Sequence, residues 1–232
     1  MRIEVSATGK VLIAGGYIVL EKEFKGIVLP LTAKFHATIE NKTNFEYNST
    51  ENNNEKLIFI ETPQIEFKKY IYSYKRNSVS TELILIKNDR TEKNKFIDSA
   101  LNFSFKLLNE LIRQQKILNF DEMLNHIKIT LFGDQEFYTK TKGKTGLGSS
   151  AALTASLVSA FILFFVKIAK IKIDGKKLKR FCCLVAIFAH SKAQGKIGSG
   201  FDIVSCFYGA LFYQKLNENF TENLSSFDLV YF

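Results

Sequence analysis

Lys144-Thr145-Gly146-Leu147-Gly148-Ser149-Ser150-Ala151-Ala152 opens a stretch without a charged residue that runs from Thr145 to Val166. Glycine lets a backbone come close to an anion. Unpaired amides at the start of the helix that follows point at such an anion, and the helix dipole favours it. Ser149 and Ser150 add hydroxyls for phosphate or a divalent cation. The apolar run from Leu153 to Val166 anchors the loop, so that its donors are positioned in advance. The Gly-Lys-Ser/Thr ending of a Walker loop is missing. A plain Gly-Ser helix cap is the alternative reading. About 20 uncharged residues raise the question of a membrane span. The first part is rich in Gly, Ser and Thr, Ser156 and Ser159 interrupt the apolar part, and Lys167 and Lys170 follow it. A buried core helix from about Ser149 to Val166 is therefore expected.

Working outward, Ile127 to Phe132 reads as a strand, and Gly133 to Gly143 as a polar connection. Phe96 to Gln115 carries Ile97, Leu101, Phe105, Leu108, Leu111 and Ile112 at helical spacing. Lys176 to Ser191 is a further helix, and Phe207 to Tyr213 is a strand candidate. Near the N-terminus Ile3 to Ala7 alternates as a strand, with a turn expected at Thr8-Gly9. A short extended or helical piece follows to Leu20. Ile27 to Ile39 reads as strands, with Pro30 at a start or edge. Residues 41–95 are Asn/Lys-rich, and an irregular, exposed insert with a few strands is expected there, at Leu57 to Ile60, Ile65 to Phe67 and Leu83 to Ile86. Strands and helices without regular alternation imply an α+β domain.

Two further constellations carry chemistry. Gly198-Ser199-Gly200-Phe201-Asp202 allows a tight turn that presents Asp202 to a site. An aspartate there positions an acceptor, takes a proton or holds a metal. On spacing alone a helix cap is the better reading. Ser6-Ala7-Thr8-Gly9-Lys10 with Gly15-Gly16-Tyr17 sets a lysine after a strand, within reach of a phosphate. By itself it reads as a solvated lysine.

Composition narrows the classes. The chain has 232 residues, 46% of them hydrophobic, and a formal net charge of +9 from 32 Lys+Arg against 23 Asp+Glu. That length suits one large domain. The lysines are scattered, so nucleic acid is a weak lead and a small anionic ligand a better one. Cys182, Cys183 and Cys206 form no Cys-x-x-Cys pair, which suits reduced thiols in the cytoplasm. His36, His126 and His190 have no metal-ligand spacing and read as structural. The N-terminus has no signal-peptide shape.

Together, Ser6 to Leu20, Lys144 to Ala152 and Ala189 to Gly209 resemble the GHMP kinase superfamily, and within it the phosphomevalonate kinases. The segment Ala193-Gln194-Gly195-Lys196 followed by Gly198-Ser199-Gly200-Phe201-Asp202 is the most specific part of that likeness. The resemblance implies a two-layer α+β domain of the ribosomal protein S5 domain 2-like type over 1–232. It implies transfer of the ATP γ-phosphoryl group to 5-phosphomevalonate in isoprenoid biosynthesis. It also implies ATP on Lys144, Thr145, Gly146, Leu147, Gly148, Ser149, Ser150, Ala151 and Ala152. Mg²⁺ would be held with Ser149 or Ser150, and Lys10 would bridge donor and acceptor. Asp202 would sit beside the acceptor, and Gly16, Tyr17, Lys196, Ser199 and Gly200 would line its site. No membrane or nucleic-acid partner is implied. Thr8 stands where the family has proline, and Ser191 where mevalonate kinases have an acidic metal ligand. The family also has a C-terminal domain with a third glycine-rich motif, which is expected to lie outside this chain. A sister enzyme of the family, or a nucleotide-binding remnant without activity, are the alternative expectations.

Overall fold

The computed structural model describes residues 1–21, 23–41, 56–63, 68–76, 83–87, 94–116, 125–139, 143–195 and 200–214. Seven strands form one sheet: β1 (Arg2–Ala14), β2 (Lys25–Asn41), β3 (Lys56–Thr62), β4 (Lys68–Arg76), β5 (Leu83–Lys87), β6 (Ile127–Gly133) and β7 (Leu211–Gln214). Their spatial order is β1-β2-β6-β3-β4-β5, with β7 also paired to β2. All pairs are antiparallel except β3 with β6. Four helices complete the described chain: α1 (Lys95–Gln114), α2 (Ser149–Ile168), α3 (Gly175–Gln194) and α4 (Phe201–Tyr208).

Period-two alternation sets the inner face. Ile127, Ile129, Leu131 and Gly133 of β6 are buried, as are Ala37 and Ile39 of β2 and Tyr70, Tyr72 and Tyr74 of β4. Against this face lies α2, whose apolar surface runs round most of its circumference because neighbours cover it on several sides. Leu157, Val158, Phe161, Ile162, Phe164 and Phe165 are at most 1% exposed. Aromatic rings fill the centre, with Phe161 and Phe165 at 4.8 Å, Phe105 and Phe161 at 5.3 Å, and Tyr74 and Phe165 at 6.0 Å between centroids. This helix is long and apolar enough to cross a membrane, yet 72% of its apolar window is buried in the protein. The core-helix expectation therefore agrees with the structure.

Three expectations change. No turn breaks the chain at Thr8-Gly9; β1 runs on to Ala14, and the register slips between Thr8 and Lys10. Gly9 marks a bulge inside the strand. The described part of 41–95 is also more regular than expected. It supplies β3, β4 and β5, which widen the sheet beyond β6, and Ile58, Ile60 and the three β4 tyrosines belong to the core. The strand candidate at Ile65 to Phe67 lies outside the described residues. Phe207 to Tyr213 divides between the end of α4 and β7. Pro30 lies within β2, opposite Lys10. Between Val28, where pairing with β7 ends, and Phe35, where pairing with β6 begins, β2 has β1 alone as its neighbour. The missing amide of Pro30 therefore falls where one edge has no ladder to serve.

A polar contact in an apolar setting ties helix α1 to the sheet. The Tyr72 hydroxyl donates to Asp98 Oδ1 at 2.5 Å. Burial, reinforced by Asp98, pushes the Tyr72 phenol far above its ordinary range, so it remains a donor. Tyr72→Phe keeps the ring and removes a charge-assisted bond. A loss of roughly 1.5–3 kcal/mol in urea unfolding is expected, and an unchanged midpoint would show that the contact contributes nothing.

Candidate active site

Helices normally consume their first amides in a side-chain cap. Two of the four here do so. Asn94 accepts from the Phe96 and Ile97 amides at α1, and Asp174 accepts from the Lys176 and Lys177 amides at α3. The other two do not. Both α2 and α4 begin on left-handed glycines, Gly148 (φ 82°) and Gly200 (φ 78°), with no side-chain cap. At α2 the first backbone bond is Ala152 N–H to Gly148 C=O at 3.0 Å, which leaves the amides of Ser149, Ser150 and Ala151 with no backbone acceptor among the described residues. Gly148 is the cap residue of α2, and no serine side chain caps the amides of its first turn.

The loop is held from below. Thr145 N–H donates to Phe137 C=O at 3.1 Å, and the Thr145 hydroxyl donates to Glu136 C=O at 2.8 Å. The Lys10 amide donates to Leu147 C=O at 3.0 Å. That last bond exists because the β1 bulge frees the Lys10 amide from the β2 ladder. Gly9 makes the approach possible, since a Cβ there would stand 2.7 Å from Leu147 O and 2.7 Å from Phe137 Cε1.

The Lys10 side chain then crosses the site. A Cβ at Gly148 would lie 3.1 Å from Lys10 Cγ and 3.2 Å from its Cε, and the Lys10 ammonium stands 5.0 Å from the centroid of the Phe201 ring. Phe201 is the first residue of α4. The cation therefore lies between the uncapped ends of α2 and α4. It makes no ion pair among the described residues.

Asp202 does not cap α4; it is the second residue of the helix. Its Oδ1 accepts from the Ile203 amide at 3.0 Å, and its Oδ2 faces His190 Nδ1 at 3.4 Å. On the other side of the ring, His190 Nε2 is 3.3 Å from Ser150 Oγ. His190 is 3% exposed, with Phe96 packed at 5.4 Å. Burial pulls the imidazole below its ordinary range; Asp202 opposes this and Lys10 adds to it. The ring is thus neutral at neutral pH. Sequence reasoning set His190 aside as structural, and Ser191 was the residue aligned with an acidic ligand. In the fold it is His190 that reaches Asp202. The available signal was small: Ala186, Ala189 and Ala193 line the same helix face and leave room for a ring.

A cavity of about 220 Å³ opens beside the loop, lined by Tyr70, Phe96, Leu131, Tyr138, Lys144, Ser149 and Ser150 among others. Its lining joins aromatic and aliphatic side chains with an ammonium and two hydroxyls. Its walls come from β4, α1, β6 and the loop, which no local motif could announce. Of the remaining expected residues, Gly16 and the backbone of Tyr17 lie in a 3-10 turn (Gly16–Leu20). Val19 of that turn packs in a small apolar cluster with Phe201, which sets the turn beside the start of α4. Lys196 and Ser199 lie outside the described residues.

No protein-family model matches the chain. Among curated proteins it is 26% identical over 239 residues to a phosphomevalonate kinase of Gibberella zeae, covering 93% of this chain and 52% of that protein. It is 25% identical over 269 residues to a peroxisomal phosphomevalonate kinase of Arabidopsis thaliana, covering 94% and 51%. The chain thus spans about half the length of the curated relatives it matches. Among solved structures it superposes on Streptococcus pneumoniae phosphomevalonate kinase in complex with phosphomevalonate and AMPPNP, with a TM-score of 0.59 and 16% identity over 98% of this chain and 54% of that one. The chain has the α+β fold of the GHMP kinases and is similar, over nearly all of its own length, to phosphomevalonate kinases.

Proposed function

We propose that the chain is the ATP-binding half of a phosphomevalonate kinase, which transfers the γ-phosphoryl group of ATP to 5-phosphomevalonate. One observation carries this reading: Lys10 lies between two uncapped helix N-termini. An anion at the α2 end and a second at the α4 end would share that cation. A reaction between two phosphates needs such an arrangement. The loop Lys144–Ala152 takes the ATP phosphates, and the cavity at Tyr70, Phe96 and Leu131 suits the nucleoside. The acceptor lies on the α4 side, near Gly200, Gly16 and Tyr17, with Lys196 and Ser199 as proposed further contacts. An oxygen of the acceptor phosphate attacks the γ-phosphorus, the bond to the β,γ-bridging oxygen breaks, and ADP leaves. The second pKa of a phosphate monoester is about 6, so the attacking oxygen is mostly deprotonated at neutral pH. Positioning and cationic neutralisation carry most of such a reaction.

Mg²⁺ fits this site only as a passenger on the nucleotide. Among the described residues no three His, Cys, Asp or Glu side chains gather into a metal cage. Mg²⁺ ordinarily retains waters and substrate phosphates and needs one or two protein oxygens. Ser150 and Asp202, on either side of His190, supply that number, with Ser149 next to them. When bound, the ion would offset the charge of the phosphates. The cytoplasm remains the proposed compartment, although the Arabidopsis relative is peroxisomal.

The test is ADP release in a protein of the relatives' full length that begins with this chain. 5-Phosphomevalonate is expected to stimulate turnover and mevalonate is not. Stimulation by mevalonate alone would move the assignment to a sister enzyme. Nucleotide binding with no turnover on either compound would favour the inactive-remnant reading.

A further inference from the structure

The lysines read as scattered along the chain, but one stretch departs from that. Between Lys167 and Arg180 six lysines and one arginine stand against a single acid, Asp174. Six of the chain's nine net positive charges therefore fall in 14 of its 232 residues. The stretch joins the end of α2 to the first turns of α3. All seven cations are exposed, and none makes an ion pair among the described residues. The Asp174 carboxylate accepts from the Lys176 and Lys177 amides and is committed to the helix cap. The connection is pinned to α1, since Gln115 Nε2 donates to Lys172 C=O at 2.8 Å and Lys172 N–H donates to Gln115 Oε1 at 3.3 Å. Exposed Lys116, next to Gln115, adds an eighth charge to the same surface.

Neither the fold nor the reaction accounts for this charge. Lys167 sits at the C-terminal end of α2, where the helix dipole favours a cation. Lys176, Lys177, Lys179 and Arg180 sit in the first two turns of α3, where the dipole opposes them, and no acid stands in the first turn. α1 and α4 each carry an aspartate at that place. Lys176 is also three and four residues from Lys179 and Arg180, so like charges share one helix face. Both arrangements cost stability. The phosphate loop lies at the other end of α2, whose 20 residues span about 30 Å. That is well beyond the Debye length of about 8 Å at physiological salt, so these cations do not serve ligands of the loop.

We infer that this end of the domain docks on an anionic membrane surface. The cations are nearly all lysine, point charges without the planar fork with which arginine grips single phosphates. Apolar groups stand among them, as a lipid surface requires and a phosphodiester backbone does not. Ile168, Ile173 and Leu178 are partly exposed, and Tyr208, 52% exposed, has its ring 4.8 Å from the Lys179 ammonium. A tyrosine ring suits the boundary between headgroups and acyl chains. Lysine stems lie along apolar surface while their ammonium groups reach lipid phosphates. Clusters of four to eight such cations bind anionic leaflets. Docking at this end leaves the phosphate loop, at the far end of α2, away from the lipid.

Co-sedimentation with phosphatidylcholine vesicles, with and without phosphatidylserine, tests this. The parent is expected to bind the anionic vesicles and not the neutral ones, with affinity that falls as salt is raised. Each lysine at such a surface contributes about fivefold in affinity, so Lys176→Gln/Lys177→Gln/Lys179→Gln should bind about a hundredfold more weakly. The control is Lys25→Gln/Lys34→Gln/Lys69→Gln, which removes the same charge from exposed positions on β2 and β4. It should stay within about threefold of the parent, because these charges lie apart from the docking surface. A fluorescent ATP analogue should bind both variants as it binds the parent. The patch variant should unfold at the same or a higher urea concentration, since it relieves the like charges on α3. Equal losses in the two variants would mean that net charge alone drives binding, and would overturn the inference. So would a parent that ignores anionic vesicles or binds neutral ones equally well. A patch variant that unfolds more easily would make these lysines part of the fold's own support and overturn it too. Tighter binding to duplex DNA or to polyglutamate, lost in the same patch variant, would assign the surface to another anion and overturn lipid docking.

Discussion

Lys10→Met should lower phosphoryl transfer about a thousandfold while leaving nucleotide affinity within a few-fold of the parent. The magnitude follows from what a fixed cation contributes when two polyanions meet, typically 10²–10⁵ in rate across comparable cases. The low effect on binding follows from the architecture. The loop has its own donors in the amides of Ser149, Ser150 and Ala151. Lys10 reaches past them towards α4, where its ammonium rests over the Phe201 ring at 5.0 Å. An interaction that becomes strong only when donor and acceptor approach each other lowers kcat and kcat/KM together. Methionine keeps the aliphatic stem against Gly148, so the strand and the loop should keep their places.

Asp202→Asn is the comparison that gives this result its meaning. A catalytic base needs a free oxygen aimed at the acceptor. Asp202 Oδ1 accepts from the Ile203 amide, and Oδ2 faces the buried His190 ring at 3.4 Å, so neither oxygen is held for the acceptor alone. Asparagine keeps the size of the side chain and can still accept from the Ile203 amide. The acceptor phosphate needs little help to lose a proton. The expected loss is about tenfold, well short of that for Lys10→Met. A larger loss for the asparagine variant, with a pH profile governed by a single carboxylate, would make Asp202 the proton acceptor and reverse the ranking.

The sequence shows local features of this fold well and long-range ones poorly. The loop at Gly146 and Gly148 and the uncharged helix behind it were readable because both depend on neighbours in the chain. Gly9 was misread because a glycine between a strand and a lysine looks the same before a turn and at a bulge. What decides between them is Leu147, whose carbonyl takes the Lys10 amide from the far end of the sequence. β4 was missed although Tyr70, Tyr72 and Tyr74 alternate strictly. Lys68, Lys69, Lys75 and Arg76 surround them and give the segment the texture of an exposed loop. His190 was passed over because its role lies in two contacts, to Ser150 and Asp202, that exist only once α2, α3 and α4 have packed. The cavity has the same limitation, being assembled from strands and a helix on both sides of the loop.

Gly9→Ala should be among the most damaging single-methyl changes in the chain, with an expected loss of about 2–4 kcal/mol from overpacking and a broken backbone bond. The added carbon would meet Leu147 O and Phe137 Cε1, both at 2.7 Å. Neither can retreat freely. Phe137 is fully buried, and its ring also closes on Gly133 and lies 6.3 Å from Phe35. The Leu147 carbonyl is fixed by the Lys10 amide at 3.0 Å. The strand and the phosphate loop must therefore separate, which breaks that bond and displaces Lys10 and the loop in one step. Nucleotide affinity is expected to fall at least about tenfold together with stability, because one contact supports both. Gly175→Ala is the control. It lies in the first turn of α3, and a Cβ there meets nothing within 4 Å. That change should be neutral or raise stability by up to about 1 kcal/mol through the unfolded chain. If Gly9→Ala unfolds at the same urea concentration as Gly175→Ala and binds the ATP analogue equally well, the close approach of β1 to the loop is not what positions Lys10. If instead both stability and affinity fall only in the Gly9 variant, the bulge in β1 is the element that joins the cation to the anion cradle.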